Sequence, residues 1–226
     1  MAQFSDCILM RRFMNTLYFS QTISLLLVNW FALMSPGSDF AMTLKHTVTH
    51  GKRSGFFTAA GITLGCCVHL FYTVVGLGFV LSQSMVFMWL VKIIGAAYLF
   101  KVGFQSWREA KPMPPHHHEN LEPTEVPASG WSCLRAGFIT NLFNPKATLF
   151  FLAVFTSVVD VQTPWPLLAL DSFGICIETM IWFSLVVYVF SKPSIRTPLL
   201  AKKYLLDKAM AIFFVGLGAY LLFGHV

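Results

Sequence analysis

Six apolar stretches divide this chain: Leu17–Met34, Phe56–Leu81, Met85–Trp107, Gly137–Val159, Trp165–Phe190 and Leu205–Phe223. A helix needs about 20 apolar residues to cross a hydrocarbon core of roughly 30 Å, so each stretch can span a bilayer. The second exceeds a minimal span and is expected to tilt or project. Backbone N–H and C=O groups find no water partner in lipid, which leaves only helices or a closed barrel. No stretch shows the alternation of a barrel strand. Composition agrees: 12% of the 226 residues are charged, about half of what a soluble domain uses to cover its surface. The sequence predicts an all-α membrane protein with six transmembrane helices.

Lys and Arg then orient the helices. The first connection carries Lys45, Lys52 and Arg53, the third Arg108, Lys111 and Arg135, and the fifth Lys192, Arg196, Lys202 and Lys203. The second (Ser82 to Ser84) and fourth (Asp160 to Pro164) carry none. Connections one, three and five are therefore expected in the cytoplasm, with both termini outside. Arg11 and Arg12 conflict with this, and a start at Met14 would remove the conflict, so residues 1–13 are read as an N-terminal extension. Ser35-Pro36-Gly37 follows the first run where a signal peptide would need a small-x-small cleavage site. The net charge of +6 is spread between apolar runs and forms no stripe, which speaks against nucleic acid. Cys7, Cys66, Cys67, Cys133 and Cys176 lack metal-ligand spacing and read as small apolar packing residues.

Residues 109–132 join two halves, 14–108 and 133–226. The segment holds Pro112, Pro114, Pro115, Pro123, Pro127, four glutamates and His116-His117-His118, the composition of a solvated cytoplasmic linker. The halves repeat weakly. Each begins with a run broken by Pro beside polar groups: Ser35-Pro36-Gly37-Ser38-Asp39 in one, Asn141 to Lys146 in the other. Each ends alike, in Ala97-Tyr98-Leu99 and Ala219-Tyr220-Leu221. Three helices per half is an odd number, so the halves are expected as two inverted three-helix repeats, with a substrate site near the midplane at the broken helices.

The breaks carry the chemistry. Pro36 and Pro145 each remove a backbone donor and interrupt the helical ladder, and Gly37 lets the chain leave helical geometry. Freed N–H groups at a restarted helix suit a carboxylate; freed carbonyls with Asp39 suit an ammonium. A zwitterion has both poles. The candidate substrate site is Ser35, Pro36, Gly37, Asp39, Asn141, Asn144, Pro145, Lys146 and Glu178. Ionisable groups in a span cost roughly 2.5–3.5 kcal/mol each. Glu178 sits near the bilayer centre and Asp171 one heptad earlier on nearly the same face, shallow enough to snorkel. Lys146 can pair with Asp39, and Lys92 with an acid or by snorkelling. His69 reads as a hydrogen-bonded packing residue.

Leu33-Met34-Ser35-Pro36-Gly37-Ser38-Asp39-Phe40, Gly61-Ile62-Thr63-Leu64-Gly65, Gly95-Ala96-Ala97-Tyr98-Leu99 and Thr140-Asn141-Leu142-Phe143-Asn144-Pro145-Lys146-Ala147 together resemble the LysE/RhtB family of amino-acid exporters. The resemblance covers about residues 14–223. Pro36-Gly37-Ser38-Asp39-Phe40 and Ile177-Glu178-Thr179 are similar to the threonine-efflux branch, with Ser38 where that branch often has a second Pro. The resemblance implies efflux of a small neutral or polar amino acid, threonine or homoserine-like, from a bacterial inner membrane, driven by proton antiport. Asp39 and Glu178 are then the proton-coupling candidates. It implies no cofactor and no resident metal, with the amino acid, protons and lipid as partners, and it leaves a homo-oligomer open.

Two rivals fit less. A divalent-cation exporter of similar architecture would need several carboxylates or His at ligand spacing in the membrane, and Asp171, Glu178 and His69 are thin material. An intramembrane enzyme would need a nucleophile and base, and the chain contains neither Gly-x-Ser-x-Gly nor His-Glu-x-x-His.

Overall fold

The structure, a computed structural model, describes residues 2–81, 85–111, 128–160 and 163–224. Among them nine helices run in chain order: α1 (Ala2–Met34), α2 (Ser38–His50), α3 (Lys52–Leu81), α4 (Met85–Glu109), α5 (Gly130–Leu142), α6 (Pro145–Val158), α7 (Trp165–Phe190), α8 (Pro193–Ala201) and α9 (Lys203–Phe223). The linker's His116 to His118 and prolines lie outside the described residues, as does the second connection.

Both breaks fall where proline dictates. α1 stops at Met34, and Gly37 caps α2 in an extended conformation with no side-chain bond across the cap. α5 stops at Leu142, and Pro145 opens α6 at a first-turn position, where its missing N–H costs nothing. Asn144 caps α6, its Oδ1 accepting from Lys146 N at 3.0 Å. The α5–α6 axis bends there by 53°.

Two expected connections are helical instead. Residues 38–50 form α2, with Asp39 in its first turn, where a carboxylate complements the helix dipole. Its inner face of Thr43, Thr47 and Val48 is buried, and the two threonine hydroxyls return to carbonyls four residues back. This face is too short and too polar to register as an apolar run. Gly51, at φ +85, turns the chain directly into α3. Within the fifth connection Pro193 starts α8.

Among the described residues four helices are long and apolar enough to cross a membrane: Thr16–Met34 within α1, Lys52–Gly76 within α3, α7 and α9. The bent α5–α6 pair makes a fifth if it counts as one span. α4 has 25 residues and covers the third apolar run. Length and composition thus mark four or five candidate spans among the described residues, in an all-helical fold; six spans in two inverted repeats is the expectation from the sequence runs.

α3 is the central post, packed on α2, α5, α6 and α7, while α4 pairs with α9 and α6. The main core joins α1, α3, α6 and α9 through Leu25, Leu70, Phe150, Phe155 and Phe214. The α3–α5 contact is closest. A Cβ on Gly61 would meet Leu134 O at 2.0 Å, and one on Gly137 would meet Thr58 O at 2.2 Å. Small residues let the two backbones touch, the usual device where lipid offers no hydrophobic drive. Cys66 and Cys133 are buried packing residues, and Cys67 Sγ lies 3.1 Å from Cys176 Sγ between α3 and α7.

Candidate functional site

The two breaks meet. Asp39 on α2 accepts on one oxygen, Oδ2, from Asn141 Nδ2 at 3.0 Å and from Asn144 Nδ2 at 2.9 Å. One amide comes from the last turn of α5 and the other from the cap of α6, so a carboxylate from the first break is held by both sides of the second. Asp39 Oδ1, Asn141 Oδ1 and Ser35 Oγ are buried without a hydrogen-bond partner. Two orphaned acceptor oxygens and an unpartnered hydroxyl in one place are costly unless a polar group arrives to pair with them.

A cation faces them. Lys146 Nζ donates to Ser35 O at 3.2 Å and stands 5.2 Å from the Phe214 ring centroid. The expected direct pairing with Asp39 is not among the ion pairs or hydrogen bonds of the described residues. The ammonium instead caps the Ser35 carbonyl, one of the acceptors freed where α1 ends.

Ser35, Gly37, Asp39, Asn141, Asn144 and Lys146 line a cavity of about 60 Å3, walled by Phe150, Phe151 and Phe183. A water needs about 10–15 Å3 by the same measure, so the space suits a few waters or one small polar solute. Acceptors gather around Asp39. The Lys146 ammonium lines the same cavity, and Asp39 itself belongs to the first turn of α2, whose N–H groups lack a side-chain cap. Among the described residues no three His, Cys, Asp or Glu side chains gather as a metal site.

His69 backs this site. It is fully buried, and its Nε2 lies 2.8 Å from Asn141 O. A carbonyl only accepts, so Nε2 carries the proton and Nδ1 accepts from the Tyr72 hydroxyl. His69 thereby holds the end of α5 in place, in keeping with the packing role read from the sequence.

Glu178 stands apart. It is not among the residues lining the cavity; Asn29 Nδ2 donates to its Oε2 at 2.8 Å, and Asn29 does line the cavity. Asp171, one heptad earlier, is buried and does not snorkel: it accepts from Thr22 Oγ1 at 2.7 Å and Gln21 Nε2 at 3.4 Å. Both acids thus tie α7 to α1. Thr179, noted in the sequence only within Ile177-Glu178-Thr179, and Asn29 are also in the lining; Asn29 was not singled out from the sequence, although an amide inside an apolar run was a readable signal. Asp207 was missed as well; it is buried on α9 and paired with Lys203 at 2.8 Å, a Lys–Asp spacing of four visible in the sequence.

The comparisons meet the same segments. The family model described as LysE type translocator matches residues 30–225. The Threonine efflux protein of Escherichia coli (strain K12) is 30% identical over 209 residues, covering 88% of this chain and 96% of the relative. The Homoserine/homoserine lactone efflux protein of Salmonella typhi is 34% identical over 139 residues, covering 62% of this chain and 65% of the relative. An uncharacterized membrane protein of Escherichia coli (strain K12), YahN, is 27% identical over 175 residues, covering 77% and 75%. No solved structure matches the chain. The family match runs from the end of α1 through both breaks to the end of α9, and with it this chain belongs to the LysE type translocators, a family of membrane transporters.

Proposed function

We propose that this chain exports a small neutral or polar amino acid, threonine- or homoserine-like, across a bacterial inner membrane by proton antiport, with the cavity at the two breaks as its site. The observation that carries the reading is Asp39: one oxygen held by two amides from the opposite break, the other buried and unpaired beside a lysine. A zwitterion answers both features. Its ammonium supplies donors to Asp39 Oδ1, Ser35 Oγ and Asn141 Oδ1, and its carboxylate finds Lys146 and the first N–H groups of α2. The efflux activities named for two relatives support this cargo class.

A zwitterion carries no net charge, so the membrane potential does no work on its export. One inward proton supplies roughly 2.3 kcal/mol per 100 mV. Ionised Asp39 holds the ammonium, whereas protonated Asp39 has lost the charge that holds it. Proton and substrate then compete for one group, which is the logic of antiport. Glu178 is the second coupling candidate, linked to the cavity through Asn29. α1–α4 and α5–α9 act as two inverted repeats that rock about their breaks, with both termini outside.

Cells expressing the chain are expected to outgrow controls on inhibitory threonine, homoserine or related amino acids, with smaller intracellular pools of the exported one. Unchanged pools for every amino acid, with falling pools of a divalent cation, would turn the reading to the cation exporter. Deleting His116 to His118 is expected to leave the same efflux rate unaltered; lost efflux would give the linker a role in transport.

A further inference from the structure

A second space, a groove of about 280 Å3 between α2, α7, α8 and α9, lies beside the cavity at the breaks. Its walls are apolar, built from Phe40, Leu185, Val189, Phe190 and Leu206, with Trp182 among them. Lys202 and Lys203 complete the lining at the α8–α9 junction. Lys203 is engaged by Asp207, while Lys202 is exposed to whatever lies outside. Lys192 and Arg196 sit on the same short connection. One further group is out of balance. The Trp182 indole Nε1 is buried with no hydrogen-bond partner, and a donor left unpaired in an apolar setting is costly.

We propose that this groove binds one anionic phospholipid. The three features call for three parts of such a molecule: acyl chain for the apolar walls, phosphate for Lys202, and a glycerol-ester carbonyl to accept from Trp182 Nε1. A basic site between helices at the charged end of a bundle is the usual recognition surface for anionic headgroups. A helix of a second copy would cover the walls but bring neither a free acceptor nor an anion. Free phosphate would leave the walls exposed.

The groove also touches the transport cavity. Phe40 lines both spaces, and it stands edge-on to Phe190 of the groove, with ring centroids 5.4 Å apart. Pro36, the break itself, lines the groove as well. A bound acyl chain therefore contacts a side chain that also lines the cavity at the breaks. Lipid binding here does not depend on which solute the chain carries.

The test uses the full chain purified in a nonionic detergent. Retained lipid is counted by native mass spectrometry and the unfolding temperature is followed. Phosphatidylglycerol and phosphatidylcholine with identical acyl chains are compared, with inorganic phosphate as a third arm. Phosphatidylglycerol is expected to be retained at least fivefold better and to raise the unfolding temperature more. Lys202→Ala, an exposed position that leaves folding intact, is expected to cut that preference about fivefold. Trp182→Phe is expected to weaken both lipids alike, because the ester is common to both. Equal retention of the two lipids, a full preference surviving in Lys202→Ala, or an equal shift from inorganic phosphate would overturn the proposal.

Discussion

Asp39→Asn is expected to abolish export while the protein still inserts and folds. The substitution keeps the size and shape of the side chain. Its amide oxygen can still accept from Asn141 and Asn144, as Asp39 Oδ2 does at 3.0 and 2.9 Å, so the bridge between the breaks survives. What changes is the second atom. A buried, unpaired acceptor becomes an NH2 donor beside Asn141 Oδ1 and Ser35 Oγ, filling the places an ammonium would take. The negative charge and the titratable proton disappear together. A hydrogen bond to a charged group contributes about 1.5–3 kcal/mol, so a loss on the order of 100-fold in efflux rate is expected from binding alone. Loss of coupling takes the rest. The measurement is amino-acid efflux from preloaded cells, normalised to membrane-inserted protein. Normal efflux in this variant removes Asp39 from the mechanism. Glu178→Gln is expected to do less, because Glu178 reaches the cavity only through Asn29.

The helix breaks were legible because proline acts locally. Pro36 and Pro145 end helices wherever they stand, and polar neighbours in an apolar run are conspicuous at any depth. Which polar groups would meet was not legible. The pairing of Asp39 with Asn141 and Asn144 joins residues about a hundred positions apart, and it depends on how closely α5 approaches α3. Lys146 was expected on Asp39 because opposite charges attract. The structure places it on Ser35 O, a carbonyl left without a helical partner where α1 ends. α2 escaped notice for a different reason. Its buried face is threonine, whose hydroxyls satisfy themselves on the preceding turn, so hydropathy alone reads it as a connection. Gly61-Ile62-Thr63-Leu64-Gly65 was visible as a motif but carried no role until α5 was seen lying against it.

That contact makes the second large prediction. Gly61→Ala and Gly137→Ala are each expected to destabilise the protein severely and to lose export with it. An added Cβ would stand 2.0 Å from Leu134 O in the first case and 2.2 Å from Thr58 O in the second. Both obstacles are backbone, which no rotamer change can move aside. Overpacking a close-packed core costs typically about 1–3 kcal/mol, and a backbone clash belongs at or above the top of that range. Helix propensity works the other way, since Ala is favoured over Gly by about 1 kcal/mol in a helix interior. Gly76→Ala isolates that opposing term: it lies on α3, and a Cβ there meets nothing within 4 Å. Thermal unfolding in detergent should therefore show Gly76→Ala at or above the parent and the other two well below it. Export should follow the same order for a structural reason. Asn141 lies one turn beyond Gly137 on α5, and Gly65, one turn beyond Gly61 on α3, is packed against the Asn141 side chain. Any separation of α3 from α5 draws Asn141 away from Asp39, so the packing glycines set the geometry of the bridge between the two breaks.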